Sequence, residues 1–127
     1  MVVPIRLLLV DDELRVRQGL RMCMAGEPDF EIVGEAGEGA AAVTLASEIH
    51  PDVVVLDVRM QGLDGLSATK ELSVTDPSAK VVILSLHDDA ETRREALASG
   101  AAAFVGKQEG IVRLFEVIRN VTGRGGS

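Results

Sequence analysis

Three carboxylates, a hydroxyl and an ammonium occupy matching places in this chain of 127 residues. Asp11 with Asp12, Asp57, Ser85 and Lys107 each stand at the end of a short apolar run, at residues 5–10, 53–56, 80–84 and 102–106. Each run has the length and aliphatic content of a buried strand. In an open parallel sheet, ligands bind beyond the carboxyl ends of the strands. If these runs are neighbours in one sheet, the five side chains converge on one crevice. Carboxylate oxygens suit a hard divalent cation, and an ammonium beside a hydroxyl suits a phosphoryl group.

The elements that must position them alternate along the chain. Residues 13–26 carry Val16, Leu20, Cys23 and Met24 at helical spacing, and residues 30–36 alternate roughly, as an outer strand does. Ala42, Leu45, Ala46 and Ile49 mark a second helix, which His50-Pro51-Asp52 stops at a turn. A loop containing Gly62, Asp64 and Gly65 leads into a third helix with Leu66 and Leu72, and Asp76-Pro77-Ser78 turns the chain into the fourth strand. Residues 89–99 form a polar, Ala-rich helix that Gly100 can cap, and Ile111, Leu114, Phe115, Ile118 and Val121 define the last helix. Five strands alternating with five helices predict an α/β fold, a flavodoxin-like, doubly wound, five-stranded parallel sheet of order 2-1-3-4-5 covered on both faces. Its switch point lies between the first and third strands, where Asp11, Asp12 and Asp57 sit. Residues 1–121 are expected to form this one domain and residues 122–127, Gly-rich, a flexible linker or tail.

Bulk properties narrow the function. Hydrophobic residues make up 46% and aromatics 2%, only Phe30, Phe104 and Phe115, so the core is aliphatic and a stacking platform for a flavin or nucleobase is missing. The net charge of −7 disfavours nucleic acid and anionic membranes as direct partners. No run reaches the roughly 20 apolar residues of a membrane span, and the start of the chain lacks a signal pattern. With a single cysteine, Cys23, no internal disulfide forms, and cytoplasmic residence is the expectation.

The motifs Val10-Asp11-Asp12, Leu56-Asp57-Val58-Arg59-Met60 with Leu63-Asp64-Gly65, Ile83-Leu84-Ser85, and residues 100–107 ending in Val105-Gly106-Lys107 occur in this order over residues 4–121. In this the chain resembles the receiver domains of bacterial two-component response regulators. Gly34-Glu35-Ala36 followed by Pro51-Asp52-Val53 resembles the NarL/FixJ subfamily, whose members usually carry a DNA-binding domain after the receiver. The resemblance implies that Asp57 is the phosphoacceptor. It implies a Mg²⁺ site with Asp12 and Asp57 as direct ligands, Asp11 acting through water, and the backbone carbonyl of Arg59 as a further ligand. It gives Lys107 and Ser85 the phosphoryl oxygens, makes Ser85 and Phe104 the switch residues, and sets Arg59 and His87 beside the path of attacking water, where they tune the rate of hydrolysis. A sensor histidine kinase is the implied partner, with homodimerisation on phosphorylation.

Four positions depart from the commoner pattern of that family. Ser85 stands where threonine is frequent, Phe104 where tyrosine is common, and Gln61 and Gln108 where proline is usual. None removes the chemistry. Outside the site, Cys23 is expected to fill core, Met22 to point inward and Met24 outward, His50 to belong to a turn, and Arg93 and Arg94 to form a solvated helix face. The competing functions are a stand-alone receiver acting through protein contacts, an aspartyl-phosphate phosphatase, and a small-ligand binder. The phosphatase usually has a second aspartate two residues after its nucleophile, where this chain has Arg59; the small-ligand binder would need the absent aromatic and phosphate-loop residues.

Overall fold

A computed structural model describes residues 3–58 and 64–124. In chain order the elements are β1 (Ile5–Val10), α1 (Leu14–Met24), β2 (Phe30–Ala36), α2 (Gly39–Ile49), β3 (Val53–Leu56), α3 (Gly65–Thr75), β4 (Lys80–Ser85), α4 (Ala90–Ala98), β5 (Ala103–Gly106), a 3₁₀ turn (Lys107–Glu109) and α5 (Ile111–Val121). The strands form one parallel sheet in the order β2-β1-β3-β4-β5, as the sequence predicts.

Strand side chains alternate between two faces, and this splits the core in two. Leu8, Val10, Val54, Leu56, Val81 and Ile83 pack toward Ala42 and Ala46 of α2, Ala68 and Leu72 of α3, and Ala96 of α4. Ile5, Leu7, Leu9, Val53, Val55, Val82, Leu84 and Val105 pack toward Met24 of α1 and Leu114, Phe115 and Ile118 of α5. Small alanines on α2 to α4 bring those helices close to the sheet, while the bulkier α5 fills the other face. β2 pairs with β1 through a register shift between Leu7 and Leu8, where Ile32 and Gly34 become the successive partners. Asp64 and Asp89 cap α3 and α4 by accepting the Ser67 and Thr92 amides. Gly100, at φ 110, ends α4 in a conformation that glycine adopts without steric cost.

Three expectations for side chains outside the site need correction or sharpening. Met24 is 1% exposed and Met22 is 77% exposed, the reverse of the expected pair. Leu20 and Met24 lie four residues apart on the buried stripe of α1, and Met22, some 200° of rotation from Leu20, must point away from it. Cys23 is exposed rather than core. His50 does sit in a turn, at φ 48 as the left-handed cap of α2.

The pole of the sheet opposite the strand carboxyl ends is tied by Arg119 of α5. Its guanidinium makes a two-pronged contact with Asp29 (2.8 and 2.9 Å), donates to Glu27 (2.7 Å) and lies 4.6 Å over the Phe30 ring, which meets Phe115 edge-on. Forked guanidinium–carboxylate geometry with an aromatic face beneath it makes this pair stronger than an isolated surface ion pair, and Arg119→Met is expected to cost about 1–2 kcal/mol. The Arg119 hydrogen bond holds the Asp29 carboxyl below the usual range. A depressed folded value means that the contribution is complete above the unfolded value of about 3.9 and is lost as pH falls through the folded one. The gap in Tm between the native protein and Arg119→Met should therefore be full at neutral pH and close in strong acid. A gap that stays constant down to about pH 2 would contradict this origin.

Candidate functional site

Register decides where the acids emerge. Val10 of β1 pairs with Leu56 of β3, so Asp11 and Asp57 leave the sheet side by side. Their backbone amides are still held by neighbouring strands, Asp11 by the Ala36 carbonyl and Asp57 by the Val10 carbonyl, both at 3.1 Å. Asp11 is buried and Asp12 exposed. Asp11 does not cap α1; its Oδ1 accepts the Glu13 amide at 2.9 Å and turns the chain, and Glu13 occupies the cap position. Carboxylate oxygens of Asp11, Asp12 and Glu13 lie within 4.8 Å of one another.

Lys107, first residue of the 3₁₀ turn, reaches back across the crevice. Its Nζ lies 3.3 Å from Oδ2 of Asp11 and 3.3 Å from Oδ2 of Asp57. Burial alone would lower the ammonium's pKa, but the Asp57 and Asp11 carboxylates outweigh burial and raise it above the ordinary lysine value. The cation is thereby kept charged between two acids that would otherwise repel each other.

Ser85 closes β4 and is fully buried, and its Oγ accepts the His87 amide at 3.0 Å. That bond uses an oxygen lone pair and leaves the hydroxyl proton for another acceptor. The His87 side chain is exposed at the rim. Phe104 lies buried in β5. Arg93 keeps a half-exposed side chain, as a solvated face implies, but it also has contacts that the sequence does not announce. Its guanidinium stacks 4.7 Å from the Phe104 ring centroid and donates to the Phe104 carbonyl at 3.2 Å, whereas Arg94 is exposed. The long stem of Arg93 lets a surface helix cover a strand residue. Arg59, expected both to offer its carbonyl to a metal and to tune hydrolysis, lies outside the described residues, as does Gln61.

The structure therefore joins Asp11, Asp57 and Lys107 directly and sets Asp12 beside them. It also adds residues that the sequence reading missed. Glu13 was visible as the third acid of an Asp-Asp-Glu triplet. Arg17 donates to the Asp11 carbonyl at 2.5 Å and to Glu35 at 3.1 Å, pinning the acidic turn to the end of β2. Nothing in the local sequence marks that contact, because it spans two elements. Glu109 accepts the Gly106 amide at 2.6 Å, just before Lys107.

A family model described as the response regulator receiver domain matches residues 7–119. The transcriptional regulatory protein LiaR of Bacillus subtilis is 36% identical over 117 residues, covering 91% of this chain and 54% of that protein. Among solved structures, the signal receiver domain of the NarL regulator from Mycobacterium tuberculosis superposes with a TM-score of 0.90 at 29% identity, covering 95% of this chain and 98% of that one. A chain of the CheX–CheY–BeF₃–Mg²⁺ complex from Borrelia burgdorferi gives a TM-score of 0.87 at 25% identity, covering 94% and 90%. The chain spans about half the length of the curated relatives it matches. No helix among the described residues is long and apolar enough to cross a membrane. The chain belongs to the response regulator receiver domain family, with NarL- and LuxR-type regulators among the members it matches.

Proposed function

We propose that Asp57 accepts a phosphoryl group from a sensor histidine kinase and that the acyl phosphate changes the contacts of this domain with an output partner. The observation that carries this reading is the Lys107 ammonium held 3.3 Å from both Asp57 and Asp11, beside the exposed Asp12. In the step itself a carboxylate oxygen of Asp57 bonds to phosphorus as the phosphorus–nitrogen bond of the donor phosphohistidine breaks. The released imidazole nitrogen takes a proton. Two anions resist this approach, and Lys107 lowers that resistance by placing positive charge where the phosphoryl oxygens arrive. The Ser85 hydroxyl proton gives those oxygens a further donor, and Phe104 under Arg93 is the element whose packing would register the change.

The clustered oxygen donors of Asp11, Asp12 and Glu13, with Asp57 joined to Asp11 through Lys107, fit a hard cation, and the related CheX–CheY complex was solved with BeF₃ and Mg²⁺. Bound Mg²⁺ would supply charge neutralisation between nucleophile and phosphoryl group. We assign Asp12 and Asp57 as its direct ligands, Asp11 as a ligand through water, and the Arg59 carbonyl as a further one. His87 at the rim and Arg59 are assigned to shielding the acyl phosphate from water.

Residues 1–121 are taken as the receiver unit, with 122–127 as a linker or tail. Within a longer protein the output would be a DNA-binding domain, as in the transcriptional regulators that the chain matches over about half their length. The domain is a stoichiometric acceptor in the cytoplasm, dimerising on phosphorylation, rather than a turnover enzyme. Receiver domains do occur in enzymes: a protein-glutamate methylesterase of Methanosarcina mazei is 39% identical over 106 residues, though the match covers only 30% of that protein.

The test is covalent labelling. Incubation with acetyl phosphate and Mg²⁺ should add a single phosphoryl group, mapped to Asp57 by peptide mass, and Asp57→Ala should not be labelled. Stoichiometric labelling of the variant at another residue would sink the assignment.

A further inference from the structure

Lys107 is placed by an unusual piece of chain. It opens a 3₁₀ turn of three residues between two glycines, Gly106 and Gly110, the latter at φ 93. The turn's own closing bond, from the Gly110 amide to the Lys107 carbonyl, is long at 3.4 Å. Glycine on both sides gives this backbone wide conformational freedom, and the residue after Lys107 is Gln108, which imposes none of proline's restriction. Yet the ammonium must meet two carboxylates at the ends of two other strands. Something besides the local backbone fixes it.

The Glu109 carboxylate bridges the turn. Its Oε2 reaches back over the turn to accept the amide of Gly106, the residue before Lys107, at 2.6 Å. The same oxygen lies 3.4 Å from Nη2 of Arg93, whose Nη1 is fixed on the Phe104 carbonyl and whose plane lies over the Phe104 ring. The Gly106 bond first, and Arg93 behind it, keep Glu109 ionised below the usual carboxylate range. Gln108 adds a second fastening by donating to Asp88 in the loop after Ser85.

Resting on the reading of Lys107 as the cation that meets the phosphoryl group, we propose that Glu109 is a positioning residue for Lys107 and that Arg93 couples this positioning to α4. A shift of α4 or of Phe104 would pull on the Glu109 carboxylate, and through Gly106 on the lysine. The simpler role, a turn cap that only stabilises the fold, makes a different prediction, because a cap acts whether or not residue 107 is lysine.

A double-mutant cycle separates the two. Phosphorylation of the full chain by acetyl phosphate with Mg²⁺ is followed as rate against donor concentration. Glu109→Ala should slow it about fivefold, the scale of one lost capping hydrogen bond. Glu109→Gln, which keeps an acceptor oxygen for Gly106, should recover most of that loss. In a Lys107→Ala background, Glu109→Ala should have no further effect. The same factor in both backgrounds, or no slowing at all, overturns the proposal.

A second readout needs neither metal nor donor: the lysine ammonium NMR signal of Lys107 should move or broaden in Glu109→Ala and return in Glu109→Gln. An unmoved signal also overturns the proposal. If the native protein takes no phosphoryl group at Asp57, the phosphoacceptor reading falls by itself. The ammonium signal still decides whether Glu109 places the lysine. If Glu109→Ala does not fold, Glu109→Asp, one methylene shorter, carries the same expectations.

Discussion

Gly65→Ala is expected to destabilise the domain by about 3 kcal/mol, at the upper end of what forced overpacking usually costs. Gly65 opens α3, and its amide donates to the Val58 carbonyl at 2.9 Å. A β-carbon built there would lie 2.2 Å from the Asp57 carbonyl oxygen, 2.5 Å from the Val58 α-carbon and 2.8 Å from the Val58 carbonyl oxygen. All three are backbone atoms, so no side chain can swing aside. Alanine's better helix propensity returns only about 1 kcal/mol, and the clash wins. The strain falls on the residue proposed to take the phosphoryl group, so Asp57 should also move relative to Lys107. Urea unfolding measures the first effect and the Lys107 ammonium signal the second. A stability loss under about 1 kcal/mol would mean that α3 slides away freely from the end of β3.

Lys107→Ala is expected to slow phosphorylation by acetyl phosphate about 100-fold, near the lower range found when one preorganised donor to a developing anion is removed. The native lysine sits between two acids at 3.3 Å. Without it, an anionic donor approaches two facing carboxylates with one fewer positive charge. The lysine contacts carboxylates that are proposed above to hold the metal, yet it contributes no metal ligand itself, so Mg²⁺ binding should survive. The amide shifts of residues 85–107 on adding a phosphate mimic should shrink, because the turn carrying Lys107 no longer answers to the site. Time courses by intact mass check the rate, and a fall of less than about threefold would reject the role.

The strand ends were legible because apolar runs of strand length announce themselves and a polar residue at their close is conspicuous. That is how Asp11, Asp57, Ser85 and Lys107 could be read before any geometry. The facing of α1 was not, since Leu20, Cys23 and Met24 all fit one apolar stripe and an error of one residue turns the helix by 100°. That stripe already argues for Met24 inward, and the expectation of Met22 inward runs against it. Arg93 and Glu109 were illegible in a different way. Each is an ordinary charged residue on its own element, and its meaning comes only from the approach of α4 to the turn after β5, sixteen residues apart in the chain. Arg17 follows the same rule, since its partner Glu35 belongs to another element.

The two sides of the sheet that lack a neighbour have a further consequence. β5 offers only four residues, and β2, though seven long, meets β1 through a break in register. A short strand and an irregular one are poor templates for a strand from another copy, whose pairing needs a long, regular row of open amides and carbonyls. Arg119 lying over Phe30 adds charge at the start of β2. This chain, rich in β-branched residues at its centre, is thus guarded against joining edge to edge into fibres.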